Sequence, residues 1–243
     1  MALPKLNDVP QYTLTIPSTK QKISYRPFLV KEQKVLLMGL ESNDDDQMVR
    51  SVVNTIEACV EDNINVKDLA MFDVEYMFLQ IRGKSAGETA KVHVKCAHCE
   101  EQNELDITLD DIEVTGHTKD NKIKLNDQFI IEMRYPNYNS VVAKEFSKAK
   151  TMTDSVYKMI MICLDKLHTN NELINFDDYS EKEVNDFVES LNTSQFEQIM
   201  NFVNDMPTIK KDLVFDCVKC EKENNYTLRG LQDFLFSASP MIT

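Results

Sequence analysis

The chain of 243 residues has no tryptophan, five glycines, four histidines and far fewer basic than acidic side chains. Each shortage removes a class of function. With so little glycine there is no G-x-G-x-x-G and no G-x-x-x-x-G-K-[ST], the loops whose bare backbone lets a phosphate approach, so nucleotide cradling has no motif here. His93, His98, His117 and His168 fall into no H-E-x-x-H or His–carboxylate spacing, and no G-x-S-x-G elbow exists. Asp44-Asp45-Asp46 and Asp110-Asp111 read as solvated turns or caps, not as a paired acid and base. No enzyme is expected. The rival reading, a hydrolase whose acids converge only in three dimensions, requires a pocket with paired carboxylates.

The charge balance, 27 basic against 40 acidic residues for a net −13, opposes a surface built to neutralise phosphates. The one modest basic cluster, Lys144, Lys148, Lys150 and Lys158, has the helical spacing of a solvated face. No nucleic-acid partner is therefore expected, and a zinc-ribbon nucleic-acid adaptor is the alternative. No run approaches the roughly 18 apolar residues of a membrane span. At 42% hydrophobic and 28% charged, the composition is that of a soluble globular protein of one large or two small domains. With no signal peptide in view, an intracellular location is expected.

What the sequence does contain is a pair of matching segments. Lys91-Val92-His93-Val94-Lys95-Cys96-Ala97-His98-Cys99 and Asp212-Leu213-Val214-Phe215-Asp216-Cys217-Val218-Lys219-Cys220 each place C-x-x-C after a strand-like run. A charged turn follows each, Glu100-Glu101-Gln102-Asn103 or Glu221-Lys222-Glu223-Asn224, and then a second strand-like run, Leu105 to Leu109 or Asn225 to Leu228. Four thiolates in two such pairs suit the closed tetrahedral shell of a structural zinc, so Cys96, Cys99, Cys217 and Cys220 are the expected ligands. The pairs stand roughly 117 residues apart, where a compact ribbon has about 15 to 20. A large insertion must divide the two halves of one ribbon. His98 decorates the knuckle, since four sulfurs complete the shell. Disulfides would suit a secreted chain, and a thioredoxin-like site would need one C-x-x-C opening a helix. Cys59 and Cys163 sit in apolar helical patterns and read as reduced core thiols.

Along the chain, Tyr12 to Ile16 and Ile23 to Tyr25 alternate as a hairpin about Pro17 to Lys20. Helices are expected over Val30 to Leu40, over Asp45 to Cys59 after an acidic N-cap break, and over Met71 to Arg82, opened by Asp68 or Asp73 and closed near Gly83. Ile107 to Val114, Ile123 to Leu125 and Phe129 to Tyr135 read as antiparallel strands. From Asn139 to Met206 the pattern is helical. There Val156, Met159, Ile160, Cys163, Leu164 and Leu167 form one face, a capping box stands at Ser180 and Glu183, and Pro207 stops the last helix. Leu231, Phe234, Leu235 and Phe236 form a short apolar helix that packs on the ribbon or serves a partner. The expected fold class is α+β: an N-terminal hairpin and helices (1–88), a first zinc knuckle with a small antiparallel sheet (89–136), a mostly helical insertion (137–208), and a second knuckle with an apolar C-terminal helix (209–243).

Three strings resemble the baseplate hub protein family of T4-like contractile-tail bacteriophages. They are Met1-Ala2-Leu3-Pro4-Lys5-Leu6, Tyr25-Arg26-Pro27-Phe28-Leu29-Val30-Lys31-Glu32, and Phe72-Asp73-Val74-Glu75-Tyr76 through Ile81-Arg82-Gly83-Lys84-Ser85. The resemblance is firmest up to the first knuckle, and none of these strings is a catalytic signature. It implies a late protein for assembly of the tail baseplate hub, either a hub component or a chaperone for other hub and tape-measure proteins. Its place would be the host cytoplasm during assembly, or the virion.

Overall fold

The computed structural model describes residues 9–42, 44–109, 112–116, 121–143 and 149–236. Residues 1–6, Asp110, Asp111, His117, Lys144 and Lys148, singled out above, lie outside that description, as do the side chains of Leu235 and Phe236. The elements in the first half are β1 (Tyr12–Thr15), β2 (Lys22–Tyr25), α1 (Val30–Glu41), α2 (Asp45–Cys59), α3 (Met71–Ala86), β3 (Thr89–Lys95), β4 (Gln102–Thr108), β5 (Glu113–Thr115), β6 (Lys122–Lys124) and β7 (Ile130–Met133). Then come α4 (Tyr138–Ala143), α5 (Met152–Cys163), β8 (Leu164–His168), β9 (Leu173–Asn175), α6 (Glu181–Glu189), α7 (Thr193–Asn204), β10 (Thr208–Asp216), β11 (Glu223–Arg229) and α8 (Gly230–Phe236). The class is α+β with small antiparallel sheets. The chain forms two compact units.

The first unit takes the chain through Val66, from Phe72 to Thr115, and from Thr208 onward. Its hairpin pairs Tyr12 with Tyr25 through Thr15 with Lys22. Alternation sends Leu14, Ile23 and Tyr25 into the core. Asp44 caps α2 by accepting the Asp46 and Gln47 N–H groups, which leaves Met48, Val52, Val53, Ile56 and Cys59 on one buried stripe. Burial pushes the Cys59 thiol up to about 11, an unreactive core group. Helix α3 runs past the expected stop at Gly83 and ends before Gly87, whose φ of 110° a side chain rarely adopts. Ser85 Oγ anchors the extra turn, donating to Ile81 O and accepting the Phe28 N–H at 2.8 Å. Asp73, a candidate cap by sequence, lies inside α3 and fully buried, where it accepts the N–H and hydroxyl of Ser18 in the β1–β2 turn.

Beyond α3, β3 pairs with β4, and β10 lies between β11 and β5. Val92, Val94, Ile107, Ile209, Phe215 and Leu228 point into one core with Leu79 of α3 and Phe234 of α8. Leu231, partly buried, packs against the same core, so the described apolar side chains of α8 turn toward it.

The second unit holds Lys67–Met71 and Gly116–Pro207. Its sheet runs β6-β7-β8-β9, backed by a core that includes Ile131, Met133, Ile160, Leu164, Val188 and Ile199. Two features depart from the sequence expectation. Strands β6 and β7 leave the first knuckle and join this sheet, and the helix expected through Leu167 stops at Cys163. Leu164 turns extended (φ −69°, ψ 123°) and begins β8. The register of β7 against β8 shifts at Glu132/Met133, and Leu164 and Leu167 are both buried although three positions apart. A strand bearing such an irregularity shows a helix-like spacing of apolar residues. Ser180 and Glu183 form the expected box on α6, Thr151 caps α5, and Asn192 with Gln195 forms a second box on α7. Arg134 ties the sheet to Asp177 by two bonds of 2.6 and 2.7 Å.

The chain enters and leaves this insertion at neighbouring points. In the first unit Thr115 pairs with Thr208, and in the second Gly116 abuts Pro207. At Gly116 φ is 128°, and a Cβ would stand 2.8 Å from Pro207 Cα. Gly116→Ala should therefore lower the unfolding free energy by about 1–3 kcal/mol in a urea titration. An unchanged midpoint would contradict the strain assigned there.

Candidate metal centre

Both knuckles are built by one local rule. Strands β3 and β4 pair from Thr89/Thr108 to Lys95/Gln102, and β10 and β11 from Lys210/Arg229 to Asp216/Glu223. At the tip of the first, Cys96 N donates to Glu101 O at 2.8 Å and Glu100 N to Cys96 O at 3.0 Å. At the second, Cys217 N donates to Lys222 O and Glu221 N to Cys217 O, both at 3.0 Å. Glu100 (φ 60°) and Glu221 (φ 57°) take the left-handed conformation that reverses each chain. The His98 N–H reaches Cys96 Sγ at 3.3 Å, and the Lys219 N–H reaches Cys217 Sγ at 3.4 Å. Each tip thereby presents two sulfurs on one side, the first held by a backbone amide.

The two tips meet. Cys96 Sγ lies 3.7 Å from Cys220 Sγ and Cys99 Sγ 3.6 Å from Cys217 Sγ, and all four sulfurs fall within 4.8 Å of one another. Sulfurs sharing one tetrahedral ion with arms of about 2.3 Å stand about 3.8 Å apart. Two of the sulfur–sulfur distances have that length and the rest lie within 4.8 Å, so the cluster could hold a metal ion. All six cysteines are free thiols, so no disulfide competes for these positions.

The electrostatics of the bare thiols point the same way. Burial opposes charge on Cys96, yet the N–H groups of His98 and Cys99, the Asn224 amide and Cys217 together hold it down to about 6. The N–H groups of Cys220 and Lys219 lower Cys217 against its burial. At Cys99 the Glu101 N–H favours the thiolate, but burial and the three neighbouring sulfurs push the group up to about 12. Four sulfurs this close cannot all carry charge without a cation among them.

Two residues that sequence reading placed in charged turns complete the site. Asn103 and Asn224 are both buried, and each reaches across to the other knuckle. Asn103 Oδ1 accepts the Val218 N–H and Asn224 Oδ1 accepts the Ala97 N–H, both at 2.9 Å. The available signal was their matching place in the duplicated segments. Lys219 and Glu101 also bridge the tips, at 2.7 Å, but in solvent. Exposed pairs contribute little. Lys219→Ala should leave Tm unchanged within error in a thermal melt, and a drop of several degrees would contradict that ranking.

Other candidates lie elsewhere. His98 is exposed, and the metal-capable cluster consists of the four cysteines. Cys163 is buried, with its thiol pushed up to about 12 by burial. Lys158 faces Asp154 at 3.9 Å. A groove of about 270 Å³ between α1 and α2 is lined by Lys31, Glu32, Val35, Asn54, Thr55 and Ala58. Its single carboxylate is committed: although burial opposes its charge, Arg26, Lys31 and the Leu29 N–H hold Glu32 below the usual range.

A profile of the family described as T4 bacteriophage base plate protein matches residues 9–236. The baseplate hub assembly protein gp26 of Enterobacteria phage T4 is 23% identical over 225 residues, covering 92% of this chain and 97% of that protein. No solved structure matches the chain. With the match spanning both knuckles and the insertion between them, the chain belongs to the T4 bacteriophage base plate protein family.

Proposed function

We propose that the protein is a non-enzymatic factor for assembly of the phage tail baseplate hub, acting in the host cytoplasm through contacts with other hub or tape-measure proteins. The observation that carries this reading is end-to-end similarity to a hub assembly protein, with both chains covered almost completely. An acidic surface of net −13 and the absence of any catalytic signature in the sequence agree with it. A nucleic-acid adaptor meets the wrong overall charge, and the groove between α1 and α2 is lined by one carboxylate, not by the pair a hydrolase would use. The expected result of affinity purification from infected cells is recovery of hub or tape-measure proteins with the tagged chain. Recovery of neither, with the tagged chain functional, would contradict the proposal. Mass spectrometry of purified particles beside lysate then separates a permanent subunit, present in both, from a chaperone confined to the lysate.

We further propose that Cys96, Cys99, Cys217 and Cys220 hold one structural zinc. A closed four-sulfur shell leaves no position for substrate, so the ion would serve architecture. Cys217→Ser should release stoichiometric metal and lower Tm, whereas full retention of metal would count against the site. Protons compete for the same sulfurs. Cys96, lowered to about 6, is already a thiolate at neutral pH, while Cys99, raised to about 12, must lose its proton on binding. Metal affinity should therefore rise with pH through the neutral range and fall steeply below about pH 6, as read by competition with a chromophoric chelator. An affinity that stays constant from pH 5.5 to 8 would contradict thiolate ligation.

A further inference from the structure

The two buried asparagines beside the cysteines support an inference that rests on the reading of an ion held by the four sulfurs. Asn103 on β4 and Asn224 on β11 are 1% and 5% exposed. Each Nδ2 donates to a carbonyl of its own turn, Asn103 to Glu101 O at 2.9 Å and Asn224 to Lys222 O at 2.8 Å. That bond fixes the amide orientation, so Oδ1 must face the opposite knuckle. There it accepts the N–H of the residue following the first cysteine, Val218 for Asn103 and Ala97 for Asn224. The two bonds are reciprocal and buried, and each acceptor is an amide oxygen; the Asn224 amide also contacts Cys96.

We propose that Asn103 and Asn224 are positioning residues that dock the two knuckles on each other in the metal-free protein, so that the ion enters a preassembled cage. Outer groups that orient ligands in this way typically account for about 10–100-fold in metal affinity. A leucine has nearly the shape of asparagine but neither acceptor nor donor, so it keeps the packing and removes the polar contacts.

The test uses the full chain stripped of metal. Amide hydrogen exchange should show Ala97 and Val218 protected in the wild type; Asn103→Leu should expose Val218 and Asn224→Leu should expose Ala97, while core amides of α3 stay protected. Zn²⁺ competition should then show about 10–100-fold weaker binding for each variant. Free exchange of Ala97 and Val218 in stripped wild type would overturn the proposal without recourse to any variant. So would an Asn103→Leu protein that binds Zn²⁺ as tightly as wild type. If the wild type takes up no Zn²⁺ while both amides remain protected, the ion reading falls and the docking of the knuckles stands.

Discussion

Four sulfurs from two distant hairpin tips within 4.8 Å of one another are the constraint that the first unit has to satisfy. Hydrophobic burial places the strands: Val92, Val94 and Ile107 from one hairpin and Phe215 and Leu228 from the other share a core with Leu79. Burial is non-directional, however, and does not fix register between two hairpins. The directional bonds that cross between the hairpins are those accepted by Asn103 and Asn224. The insertion between the knuckles is tolerated because loop closure depends only on the logarithm of length, about 0.6 kcal/mol per doubling. Its ends leave and rejoin side by side, with Thr115 paired to Thr208. In the proposed reading, a metal clip at the tips removes conformational freedom from a long stretch of unfolded chain.

The duplicated segments made the convergence of the four cysteines legible in the sequence. C-x-x-C after a strand is a covalent-spacing signal, and two copies with the same flanks specify convergence even across a large insertion. The asparagines were harder to see, because Asn in a polar turn has an ordinary local explanation. Only the opposite hairpin reveals what Oδ1 accepts. Capping chemistry was also readable: Asp44 and Ser180 act through residues within a turn of themselves, so local sequence contains the whole interaction.

The elements misread from sequence were those decided by distant partners. Leu164 and Leu167 continue the apolar stripe of α5 in sequence, yet a register shift against β7 gives a strand the same spacing. Strands β6 and β7 follow the first knuckle in the chain but belong to the sheet of β8, with which β7 pairs some thirty residues on, and short-range alternation cannot report that. Asp73 looked like a helix start and is instead a buried acceptor for the Ser18 turn, a contact across 55 positions. Pairing and burial of this kind override local preference.

A family whose members assemble a tail baseplate needs surfaces that meet other proteins, and a rigid platform keeps such surfaces in fixed geometry. The proposed ion supplies rigidity where two hairpins alone would depend on a small core. Zinc K-edge X-ray absorption of the purified protein tests the central claim most directly. The expected spectrum is a single shell of four sulfurs at about 2.3 Å around one ion per chain. A shell containing nitrogen or oxygen, or no bound zinc in protein purified with its thiols reduced, would contradict it.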